Sequence, residues 1–93
     1  PYICFNASGG LVGEFATLRE AKRACAREEL ASCGKWKKEE GRMNANSPWH
    51  VSYHAHGNGC TIVVGREHPH AAKHSREEIE KATARFRWRE SLR

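Results

Sequence analysis

The sequence predicts an α+β fold in ββαββα order, with an antiparallel sheet of about four strands and two helices packed on one face. Three observations lead there. Two apolar runs flank a Ser8-Gly9-Gly10 turn near the start of the chain. An Asn58-Gly59 pair separates two further runs of strand-forming residues. Two segments of helical periodicity each open with Thr or Ser followed three residues later by Glu. Residues 1–93 read as a single small domain, since a chain of this length holds one core.

The first hairpin spans residues 2–16. Tyr2 to Phe5 and Leu11 to Phe15 are the apolar runs, and glycine supplies the positive φ that the turn between them needs. Residues 17–33 form the first helix. Thr17 and Glu20 are spaced for a capping box, and Gly34 can take the left-handed conformation that ends the helix. Leu18, Ala21, Cys25 and Ser32 lie on one stripe, its core face. Residues 34–48 carry charge, Gly, Asn and Pro without a period, and read as a loop.

The second hairpin spans residues 49–66. A two-residue Asn58-Gly59 turn would pair Ala55 with Ile62, Tyr53 with Val64, His56 with Thr61, His54 with Val63 and His50 with Glu67. Trp49, Val51, Tyr53 and Ala55 then face the core, and His50, His54 and His56 point the other way. Residues 67–74 are a connector broken by Pro69, and residues 75–91 form the second helix. Ser75 and Glu78 are spaced for its capping box, and Ile79, Ala82, Thr83 and Phe86 form its core stripe.

Leu, Ile, Val and Phe together number fourteen, so the core is thin and would gain from a homodimer interface or a bound partner. Cys4, Cys25, Cys33 and Cys60 show no zinc-finger spacing and read as reduced, buried thiols, which points to the cytoplasm. No apolar run is long enough to span a membrane. The formal net charge is +5, and residues 43–65 contain no Asp, Glu, Lys or Arg. Every acidic residue is Glu, which argues against magnesium-dependent phosphoryl chemistry, where Asp is a usual ligand.

The basic balance favours nucleic acid, or a protein that handles it, as partner. Arg19, Lys22, Arg23 and Arg27 share one face of the first helix. Lys35, Lys37 and Lys38 surround Trp36, whose indole could stack on an unpaired base. Lys81, Arg85, Trp88 and Leu92 line one side of the second helix, with Arg89 beside them. The sequence therefore reads as a small non-catalytic binding protein needing no cofactor. A protein-binding inhibitor or adaptor, such as phages and mobile elements encode, is the alternative. A third reading is a metal-independent ribonuclease using His54 and His56 as acid and base with Glu67. Were a metal held, its ligands would come from His50, His54, His56, His68 and His70.

Overall fold

The computed structural model describes residues 1–42 and 44–93; Met43, inside the segment read as a loop, lies outside them. Five strands, β1 (Tyr2–Phe5), β2 (Leu11–Phe15), β3 (Trp36–Gly41), β4 (His50–Ala55) and β5 (Thr61–Val64), form one antiparallel sheet. Its order is β2-β1-β5-β4-β3. Three helices complete the fold: α1 (Leu18–Glu29), α2 (Pro69–Ala72) and α3 (Arg76–Ser91). The fold is α+β, with one strand and one short helix more than the sequence suggested.

The extra strand is β3, within the segment expected to be loop. Its Trp-Lys-Lys-Glu-Glu-Gly run shows no apolar alternation because β3 is an edge strand, paired only with β4, and four of its six side chains are exposed. The extra helix is α2. Pro69 starts it rather than breaking the connector, because proline at the first helical position lacks only an N–H that would have no partner there. His68 caps it, with Nδ1 accepting the His70 N–H at 3.2 Å.

The helices do not share one face. Packed on α1 lie Cys4, Val12, Phe15, Ala55 and Ile62, all buried. Ile3, Phe5 and Val63 point to the opposite face, where Ala71 of α2 covers them. Helix α3 runs along the outer edge of β2 and serves both sides: Phe86 joins the α1-side core and Ile79 the α2-side core. The Thr83 hydroxyl accepts the Glu14 N–H at 2.8 Å, so this sheet edge is satisfied by a side chain instead of another strand. Gly13 permits the approach, since a Cβ there would lie 3.0 Å from the Thr83 Cα. A bulge opposite Cys4 and Phe5 makes Val12 an extra residue, so that Val12 and Phe15 both reach the α1-side core.

Helix α1 ends earlier than expected, at Glu29, with Leu30 in the left-handed region at φ 53°. Ser32, placed on the core stripe by periodicity, is exposed beyond the helix end, while Cys33 turns back into the core. Thr17 accepts the Glu20 N–H at 3.1 Å, but only α3 shows a reciprocal capping box, between Ser75 and Glu78.

The second hairpin is slipped by two residues from the expected register. Ser52 faces Val63, Tyr53 faces Ile62 and His54 faces Thr61. The turn runs through His56, Gly57, Asn58 and Gly59, because the chain before β3 captures it. His56 N–H donates to the Lys35 carbonyl at 2.9 Å, and Gly57 N–H to the Cys33 carbonyl at 2.7 Å. Gly57 must be glycine there, as a Cβ would fall 2.5 Å from the Ser32 carbonyl oxygen. A slip of two keeps each side chain on its face. Trp49, expected in the core, precedes β4 and is 60% exposed.

The four cysteines all lie in the α1-side core, but not all as thiols. Cys4 of β1 and Cys25 of α1 form a disulfide, their Cα atoms 6.7 Å apart, within ordinary reach. Cys33 and Cys60 are free and buried. Burial, with Glu29 and Cys33 nearby, pushes the Cys60 thiol up to about 12, so it stays protonated and unreactive. No helix among the described residues is long and apolar enough to cross a membrane.

Candidate functional site

Five of the six histidines border one surface, on the sheet face away from α1. His50 and His54 project from β4, and His68 and His70 come from the start of α2. They line a concavity of about 490 Å³ with Glu39, Ser52, Arg42 and Lys73. An adjoining hollow of about 370 Å³ shares His54, His70 and Lys73 and adds His74. His50 lies opposite Gly41 of β3, leaving its ring free to meet His68. The His50 and His68 ring centroids are 5.0 Å apart, and His68 stacks on His70 at 5.3 Å.

Sequence periodicity placed His50 and His54 on this face but not the connector histidines, whose position depends on α2 folding back across the sheet. His56 is not part of the trough. It sits in the turn and borders another hollow. Glu67, expected opposite His50, is exposed beyond β5. Arg66, just before it, pairs instead with β2: its guanidinium grips the Glu14 carboxylate at 2.7 and 3.0 Å.

His54 has polar neighbours at both ring nitrogens. Its Nδ1 lies 3.2 Å from Thr61 Oγ1, and its Nε2 lies 3.3 Å from Ser52 Oγ and 3.6 Å from Glu39 Oε2. Ser52 and Glu39 thus approach the same ring nitrogen. A nucleophile–imidazole–carboxylate relay needs them on opposite nitrogens, so the site is not built for acyl transfer through Ser52. His68 is buried, and burial together with the neighbouring His50, His70 and His54 lowers its pKa to about 4, keeping it neutral near pH 7. No three His, Cys, Asp or Glu side chains among the described residues converge as metal ligands. His50, His68 and His70 meet ring to ring, and one nitrogen of His68 is already occupied by the α2 cap.

The opposite face carries Trp36 and Tyr53. Trp36 of β3 and Tyr53 of β4 are half-buried beside α1, with Lys22 Nζ 5.4 Å and 5.9 Å from their ring centroids. A hollow of about 560 Å³ at the end of β3 is lined by Trp36, Lys35, Lys37, His56 and two glycines. Lys38 is tied to Glu40 at 2.9 Å, which raises its pKa, and Lys37 lies 4.0 Å from Glu39.

The two helical basic faces are less available than the sequence implied. Arg27 binds Glu90 at 2.7 Å and Arg89 binds Glu28 at 2.9 Å, so both stitch α1 to α3. Arg19, Arg23, Lys81 and Arg85 are exposed and make no ion pair among the described residues. Trp88, in the last turn of α3, and Leu92, its C-cap, are 63% and 66% exposed. Comparison with known proteins gives no match: no family model fits the sequence, and neither a curated protein nor a solved structure matches it.

Proposed function

We propose that the protein is a small basic binding protein that holds single-stranded nucleic acid through Trp36 and its surrounding lysines. The observation that carries this is the placement of Trp36. Its ring is half-buried against the α1-side core, has the Lys22 amine 5.4 Å from its centroid, and borders a hollow of about 560 Å³ with Lys35 and Lys37 on the rim. An aromatic face stacks on any base, and lysines at its margin neutralise the adjoining phosphates. Fluorescence titration with a labelled oligonucleotide tests it. Binding should weaken steeply with added salt, and Trp36→Ala should lower affinity by roughly 5- to 100-fold, the worth of about one stacked base. Equal affinity of the variant and the parent at low salt would remove the reading.

The trough supports a second reading, metal-independent RNA cleavage. Its histidines can remove the proton of a 2′-hydroxyl and return one to the departing 5′-oxygen, while Arg42 and Lys73 face the phosphate. The 2′-oxygen bonds to phosphorus as the P–O5′ bond breaks, leaving a 2′,3′-cyclic phosphate. His54 and His70, which border both hollows, replace the His54–His56 pair expected from the sequence. Cleavage in chelator, lost in His54→Ala, is the expected result; intact RNA after incubation with the parent protein disposes of it.

A further inference from the structure

We propose that β3 pairs with β3 of a second copy of this chain, joining two sheets edge to edge about a two-fold axis. The two sheet edges differ. At β2, α3 covers the edge and Thr83 takes the Glu14 N–H. At β3, no element among the described residues lies outside the strand. That edge is six residues long, contains no proline, and pairs with β4 in one unbroken register from Trp36 to Gly41.

Backbone direction follows from one hydrogen bond. The Lys35 carbonyl accepts the His56 N–H, so odd-numbered residues turn their N–H and C=O groups inward to β4. Trp36, Lys38 and Glu40 turn theirs outward, unpaired among the described residues. A two-fold pair of antiparallel strands keeps each face of the sheet on one side, so only residues of the same parity can stand opposite. The register that overlaps residues 37–41 sets Lys38 against Glu40 of the second copy, twice. It also brings Trp36 level with Arg42 of the second copy, an indole–guanidinium match. Glu39 meets its own copy on the axis, a single like-charged pair. Charges on an edge strand commonly deter pairing; the order Lys-Lys-Glu-Glu instead makes this edge complementary to itself. The existing Lys38–Glu40 pair, 2.9 Å within one strand, needs only to exchange partners.

Sedimentation equilibrium from low micromolar to about 500 µM tests the proposal, a range suited to a small interface. The mass should rise from 10.5 kDa toward twice that value. Lys38→Pro removes one outward N–H without touching the β4 ladder and should remain monomeric with its thermal unfolding retained. Lys38→Glu and Glu40→Lys should each weaken association at least tenfold, and an equal mixture of the two should restore it by forming the mixed dimer. A parent protein that stays monomeric throughout, or a Lys38→Pro variant that still associates, overturns the proposal.

Discussion

Acid should destabilise this protein through His68, and one substitution isolates the effect. His68 is 7% exposed, and its pKa is held at about 4 by burial and by three neighbouring imidazoles. In the unfolded chain the same ring titrates near its ordinary value of about 6.5. Between those two values the unfolded state binds a proton that the native state refuses, so stability falls as pH drops through the window. At pH 5 the full shift corresponds to about 2 kcal/mol, and water reaching the ring edge from the trough reduces this to about 1 kcal/mol. His68→Asn is the informative variant. Asparagine is a good helix cap, so it can still accept the His70 N–H, but it does not titrate. Urea unfolding of both proteins at pH 7.5 and pH 5 measures the difference. The parent should lose about 1 kcal/mol more than the variant on acidification, equivalent to roughly 4–8 °C in Tm. Identical losses in the two proteins would show that His68 is not a buried neutral ring.

Three other outcomes are expected. Reducing the Cys4–Cys25 disulfide, which spans a sequence separation of 21, should lower stability by about 3 kcal/mol, seen as a drop in Tm with reductant. Gly13→Ala should cost about 1–3 kcal/mol in chemical denaturation, since its Cβ would press on the α3 backbone at Thr83. Iodoacetamide should leave Cys60 unmodified in native protein and label it once urea exposes it, as measured by mass spectrometry.

What the sequence reveals here depends on how local each cause is. The Ser75–Glu78 cap and the apolar stripe of α3 are set within a few residues and were legible. So was the facing of His50 and His54, because strand parity survives a two-residue slip. The register itself was not, because the Asn58-Gly59 turn is overridden by hydrogen bonds to Cys33 and Lys35, far away in the chain. Strand β3 was hidden because an edge strand exposed on both faces has no apolar alternation to display. The trough was half legible: two of its histidines obey periodicity, and the others arrive with a four-residue helix whose position depends on the whole sheet. The stitching of Arg27 and Arg89 to glutamates of the neighbouring helix removes charge from faces that sequence alone made look free.

The position of β1 in the sheet has a consequence for how the chain reaches its native state. β1 is an interior strand, bonded on one side to β2 and on the other to β5, with Tyr2 opposite Val64. The first hairpin can form at once, but its second partner lies most of the chain away. Closing that distance is slow, because ordering the intervening residues must precede the contacts that reward it. The N-terminal hairpin keeps one flank unpaired until β5 docks against β1, and of all the strand pairings in the sheet this one spans the greatest sequence separation.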